Sequence, residues 1–285
     1  MLASRHAQTK PDALVKSSRS LLIAGAGDVG GRLAALRAAL GEEVIALRRR
    51  DVSLGDSIRC LRADLASGEG FDRLPRRPDA LVFCAAPSER SEPAYRRLFV
   101  DGLRRLLDTL QVPRVVFVSS SAVYAQDAGE WVDERSPALA TAFNGRVLLE
   151  AERELAAHSQ ATVLRLTGIY GPGRESMLRR ARSGEANRRH WSNRIHVDDA
   201  AAALSHLLNL PAPQRLYLGS DDMPAMECEV MDWMRGHEGL EPVPALPAAP
   251  SGRRVRNAEL RASGWQPRYL DFRSGYLPML AVPGV

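Results

Sequence analysis

The stretch Leu21 to Gly31, LLIAGAGDVGG, constrains the fold more than any other, because an apolar run halts there on Gly25, Gly27 and Gly30 at GxGxxG spacing. Leu21, Leu22, Ile23 and Ala24 suit a buried strand, and leucines at 33, 36 and 40 mark one face of a following helix that Gly41 stops. A glycine turn at such a junction lets backbone approach a pyrophosphate, and the unpaired N–H groups at the helix start attract it. The spacing alone equally suits an ordinary tight turn. Context separates the two: Glu43-Val-Ile-Ala-Leu47 supplies a second strand at the length of one βαβ unit. Gly25, Gly27, Asp28, Val29 and Gly30 are therefore candidate dinucleotide contacts.

The second strand ends in Arg48-Arg49-Arg50-Asp51. An acidic residue at this place holds the ribose 2′-hydroxyl of NAD, whereas arginine accommodates the 2′-phosphate of NADP. Arg48 and Arg49 thus favour NADP(H) over NAD(H). A third strand is predicted from Ile58 to Leu65, with Asp64 facing the adenine and Leu65 beside it. The fourth, Asp79 to Pro87, runs into Cys84, Ala85 and Ala86, small enough for a cofactor to pass. Apolar residues at 95, 98, 99, 103, 106, 107 and 110 place an amphipathic helix over Pro93 to Leu110. A fifth strand from Val112 ends in hydroxyls, Ser119 to Ser121, at the sheet edge where open α/β folds bind ligands. The alternation predicts an α/β fold, a doubly wound parallel sheet.

Residues 1–19 read as a loose extension, or as a processed targeting peptide. The dinucleotide domain is expected over 20–210, with 170–193 contributing to a substrate lobe, and 211–285 as the smaller C-terminal lobe. That lobe opens on Pro211-Ala-Pro213, a strand over 215–218 and a helix from Pro224 to Arg235, and is proline-rich to Pro250. Trp191, Trp233 and Trp265 are expected in its core or along its pocket.

The net charge of +5 invites a nucleic-acid reading, but all of the 39 basic residues except Lys10 and Lys16 are arginines, scattered through every segment. Their clusters lack interleaved aromatics, so no nucleic-acid partner is expected. The 3 cysteines lack CxxC spacing, which argues against a metal site or a disulfide framework and suits a reducing, cytoplasmic setting. No apolar run approaches the ~18 residues of a membrane helix. A monomer or a homodimer is expected.

Four ordered signatures resemble the extended short-chain dehydrogenase/reductase family, of the NAD-dependent epimerase/dehydratase type. They are the GAGDVG turn, VVFVSSSAVY ending at Tyr124, VLRLTGIYGPGR ending at Arg174, and RIHVDDA from Arg194 to Ala200. Asn257 to Trp265 is similar to the family's C-terminal stretch, so the resemblance covers nearly all of residues 20–275. It implies a catalytic hydroxyl at Ser120, which would hydrogen-bond a substrate carbonyl or hydroxyl. It also implies a Tyr-x-x-x-Lys pair on the next helix, and here the sequence departs. Aligning Glu150 with the family's helix glutamate puts Ala142 at the tyrosine and Arg146 at the lysine. Arg146 can bind a ribose as a fixed cation, and Ala142 can transfer no proton. The resemblance is therefore to an atypical subgroup.

Tyr124 is expected to pack, and Tyr170 with Arg174 to shape a Gly-Pro-Gly loop. Asp198 and Asp199 are expected to cap a helix from Ala200 to Leu210 rather than to join His196 in a triad. Ser192 stands where nucleotide-sugar members place a diphosphate-binding arginine, with Arg188, Arg189 and Arg194 nearby, which disfavours sugar nucleotides. The expected activity is an oxidoreductase or epimerase acting at a carbonyl or hydroxyl carbon of an unidentified small molecule. The alternative is a catalytically impaired, dinucleotide-binding regulator or sensor.

Overall fold

The computed structural model describes residues 19–50, 52–158 and 160–280, so the expected extension lies outside the described residues apart from Arg19. Strands β1 (Ser20–Ala24), β2 (Glu43–Arg48), β3 (Ile58–Arg62), β4 (Ala80–Phe83) and β5 (Arg114–Ser120) follow the predicted alternation. Helix α1 (Asp28–Ala39) joins the first two, and a helical stretch over 92–109 joins β4 to β5. That stretch comprises α2 (Glu92–Arg96), a π-helical segment Arg97–Gly102 and α3 (Leu103–Thr109). The third strand ends three residues earlier than expected, leaving Asp64 and Leu65 in the turn beyond it.

β6 (Ala128–Val132), α4 (Phe143–Glu154), β7 (Ala161–Leu166), β8 (Gly168–Tyr170), α5 (Ser176–Ser183), β9 (His190–Ser192) and β10 (Arg194–His196) come next. The chain closes with α6 (Val197–Asn209), β11 (Leu216–Gly219), β12 (Ala225–Met226), α7 (Glu227–His237), β13 (Ser251–Val255), α8 (Ala258–Ala262) and α9 (Phe272–Leu280). The central sheet has seven parallel strands in the order β11-β7-β5-β4-β1-β2-β3. Sequence direction reverses between β1 and β4, which is where such sheets open a crevice.

Two-residue alternation explains why this sheet needs helices on both faces. Leu21, Ile23, Val44 and Val82 pack with Leu33, Ala34 and Leu204 of α1 and α6. Leu22, Ile45, Leu81 and Val115 pack with Leu103, Leu106, Val147 and Ala151 of α3 and α4. With apolar side chains on both surfaces, the strands read as continuous hydrophobic runs. Arg37, only 1% exposed, fixes α1 against α6: it is ion-paired to Glu42 and donates to Ser205 and to Asn209 Oδ1.

A second, four-stranded sheet in the order β12-β9-β13-β6 is separate from the central one. Its own small core contains Tyr170, Leu178, Met231, Met234, Phe272 and Tyr276. The sequence boundary at 211 is not a boundary in space. β11 follows it yet pairs with β7 in the central sheet, while β6 and β9 precede it and join the second sheet. Trp265 is buried in the main core, whereas Trp191 stacks on Arg254. Among the described residues no helix is long and apolar enough to cross a membrane.

The start of α6 corrects an expectation. The helix begins at Val197, three residues early, and its cap is the His196 imidazole, whose Nδ1 accepts the Asp198 N–H at 3.2 Å. Asp198 instead meets Arg32, and Asp199 is buried, accepting the N–H groups of Arg268 and Tyr269. Because β10 runs into the helix without a turn, the aspartates fall inside its first turn rather than ahead of it.

Candidate functional site

The three glycines of the first turn serve three different contacts. Gly25 has φ +97°, and a Cβ there would sit 2.4 Å from Ala85 Cα, so β1 and the end of β4 touch through bare backbone. Gly30 presses α1 against the turn, since its Cβ would lie 2.5 Å from Gly25 O. Gly27 is different. A Cβ there would have nothing within 4 Å, and as the α1 cap residue it gives the first turn no side-chain acceptor. The helix start is thus left open toward a cavity of about 840 Å³.

That cavity brings together most of the sequence-predicted contacts. Gly25, Gly27, Asp28 and Val29 form its floor; Arg48 and Arg49 line it at the end of β2. Asp64 and Leu65 line it beyond β3, and Cys84, Ala85 and Ala86 beyond β4. Gly30 is the exception, because it lies under the turn, against the Cys84 side chain. The Cys84 thiol touches Gly25 O at 3.3 Å, and burial pushes its pKa up to about 12, so it packs as a neutral thiol. Asp64 is turned to its own backbone, with Oδ1 accepting the Ala66 N–H at 2.9 Å.

Among the wall residues that the sequence does not point to are Arg97 and Arg174. Arg97 reaches the cavity from the π-helical segment, where one extra residue per turn resets which side chains face inward. Arg174 arrives from the Gly-Pro-Gly loop and pairs with Asp28 at 2.7 Å. Its part in the site is spatial, since 146 positions separate the two in sequence. Shape and composition fit a dinucleotide: an open helix start for phosphates, small residues beneath, and arginines at the far end.

The hydroxyl-bearing edge is arranged otherwise. Ser120 Oγ accepts the Ala122 N–H at 3.1 Å, capping the short turn after β5 while keeping its own proton free to donate. Ser119 points to the opposite side, as alternation requires, and bonds Glu152 at 2.6 Å. Glu152 in turn holds Arg165 in a two-point ion pair, and Arg165 donates to Tyr124 Oη. Tyr124 is buried and donates to Asp133 O, which fits its packing role.

Ala142 caps α4 and is exposed, and Arg146 on the next turn donates to Thr141 O and meets Glu92 at 3.7 Å. Neither of them, nor Ser120, is on the wall of the 840 Å³ cavity. The inward-facing glutamate of α4 is Glu152, whereas Glu150 reaches outward to Arg96. A register anchored on Glu152 moves the two aligned positions to Asn144 and Leu148. In either register tyrosine and lysine are both missing.

An open parallel sheet with a glycine turn at its switch point defines the dinucleotide-fold class of α/β proteins. The chain belongs to the NAD dependent epimerase/dehydratase family, whose model matches residues 21–219. Protein YeeZ of Escherichia coli strain K12 is 33% identical over 144 residues, covering 49% of this chain and 52% of that protein. The match therefore spans about half the length of this curated relative. A structure from Methylobacillus flagellatus, provisionally described as an NAD-dependent epimerase/dehydratase, is 37% identical with a TM-score of 0.80 and covers 93% of this chain and 98% of its own. MoeE5, solved with UDP-glucose and NAD, is 26% identical with a TM-score of 0.75, covering 92% and 97%.

Proposed function

We propose that the protein binds a nicotinamide dinucleotide, with NADP(H) preferred, and acts as an atypical oxidoreductase or epimerase at a carbon bearing oxygen. The open start of α1 at Gly27 carries this reading, supported by family membership and by the NAD in the MoeE5 complex. Arg48 and Arg49 would receive the 2′-phosphate. Among the described residues, which exclude Asp51, Arg49 has no carboxylate partner and lines the cavity. When bound, the dinucleotide supplies hydride transfer.

The chain's own contribution is binding and polarisation. Ser120 keeps a proton that it can direct at a substrate oxygen, while its lone pair is fixed by Ala122. No side chain at the tyrosine position can exchange a proton, so water or the substrate must do so. General acid–base help is worth roughly a hundred- to ten-thousand-fold, so turnover is expected to be slow. A second reading, a dinucleotide-binding regulator without turnover, is favoured by Arg146 facing Glu92 and the solvent.

Consumption of NADPH, followed optically with aldehydes, ketones and sugar derivatives, separates the two readings. Turnover that Ser120→Ala reduces supports the enzyme. Tight NADPH binding without turnover of any of these compounds supports the regulator.

A further inference from the structure

The loop that delivers Arg174 belongs to the substrate side of the molecule, but its guanidinium lies on the dinucleotide cavity. Its base is fixed. Gly171 has φ +130°, and a Cβ there would strike Val197 and His196, while Arg174 N–H closes the turn on Gly171 O at 2.8 Å. At Gly173, with φ +81°, the surroundings are open, and the Arg174 side chain is itself 39% exposed, which leaves it room to swing over a stationary loop.

Its present partner is Asp28, the first residue of α1, and Asp28 is doubly paired. Oδ2 meets Arg174 Nε at 2.7 Å, and Oδ1 meets Arg32 Nε at 3.1 Å. Arg32 also contacts Asp198 at 2.5 Å, so four alternating charges run from the start of α6 to the Gly-Pro-Gly loop. Asp28 and Arg174 keep side-chain exposures of 31% and 39%, which leaves both reachable from the cavity. Phosphates seated at the open start of α1 would bring negative charge beside Asp28 and compete with it for Arg174. Arg174 can leave without stranding a carboxylate, because Arg32 stays on Asp28.

We propose that Arg174 is a movable clamp for the pyrophosphate of the dinucleotide, resting on Asp28 and transferring to the phosphates on binding. This deepens the dinucleotide reading and rests on it. The planar guanidinium suits two-point recognition of phosphate oxygens, and the clamp would link cofactor occupancy to the loop on the substrate side.

The test is calorimetric titration of wild type, Arg174→Ala, Arg174→Lys and Asp28→Asn with NADPH, with ADP, and with adenosine 2′-monophosphate, which lacks a pyrophosphate. Arg174→Ala is expected to weaken NADPH and ADP by about tenfold or more. It should leave adenosine 2′-monophosphate unchanged. Arg174→Lys should recover part of the loss, and Asp28→Asn should tighten NADPH and ADP by removing the competitor. Equal NADPH affinity in wild type and Arg174→Ala, at matched melting temperature, overturns the clamp. An equal loss for adenosine 2′-monophosphate overturns it too, because the effect is then general charge. If wild type binds none of the three, it is the dinucleotide reading itself that falls.

Discussion

The glycine turn and the end of β5 sit on the same edge of one sheet, yet they treat their polar groups in opposite ways. At the turn, no side chain caps α1, Gly27 faces open space, and Arg48 and Arg49 line the cavity. At the β5 end, the side chains are already engaged: Ser119 with Glu152, Ser120 with Ala122, and Arg146 with Thr141 and Glu92. One region keeps its bonding capacity for a ligand, and the other uses it internally. The hydroxyl proton of Ser120 is what the β5 end leaves free to donate.

The largest expected effect tests the open region. Gly27→Val should abolish dinucleotide binding measured by calorimetry, while stability changes by no more than about 1 kcal/mol, since a Cβ there has no protein atom within 4 Å. Gly25→Val should behave otherwise, losing several kcal/mol of stability to the contact with Ala85 and to the positive φ. If both variants merely unfolded, the turn would be structural, and the contrast with β5 would disappear.

Next comes the closed region. Glu152→Ala leaves the Arg165 guanidinium buried without its carboxylate, which costs about 3 to 5 kcal/mol. Urea unfolding measures this directly, and a loss under 1 kcal/mol would mean that the β5 network is dispensable. A smaller effect concerns selectivity within the open region. Replacing Arg48 and Arg49 together by alanine should remove a preference of about tenfold for NADPH over NADH, corresponding to one charge-assisted hydrogen bond. Wild-type affinities that are equal, or tighter for NADH, contradict the assignment.

The smallest effect is one of pH. Burial holds the His196 pKa below its ordinary value of 6.5, and Nδ1 must stay unprotonated to accept the Asp198 N–H. The unfolded chain takes up this proton first, so the contribution to stability is complete above pH 6.5 and declines as pH falls toward the folded value. Urea melts between pH 7.5 and 5.5 should show wild type losing more stability than His196→Asn. Parallel curves would show that the cap does not titrate in this range.

The central sheet was legible because its strands are long apolar runs with glycines or arginines at their ends. The second sheet was not, because β9 and β12 have three and two residues, too few for any alternation to register. β11 was read as a strand but placed in the wrong layer, since Leu216–Gly219 carries no mark of its neighbour β7. At the site, the glycines announced the turn by spacing. Arg174 did not announce itself, as its partner Asp28 is brought near only by the fold, and Arg97 needed the π-helical register that a 3.6-residue repeat conceals. Glu150 and Glu152 fit the helix pattern equally well in sequence; burial alone identifies Glu152 as the anchor.

The buried knot of Arg165, Glu152 and Ser119 has a meaning for inheritance. It seats α4 from the inside, whereas Ala142 and Arg146 at the start of that helix face outward. Substitutions at these two exposed positions can therefore accumulate in descent at little cost to folding.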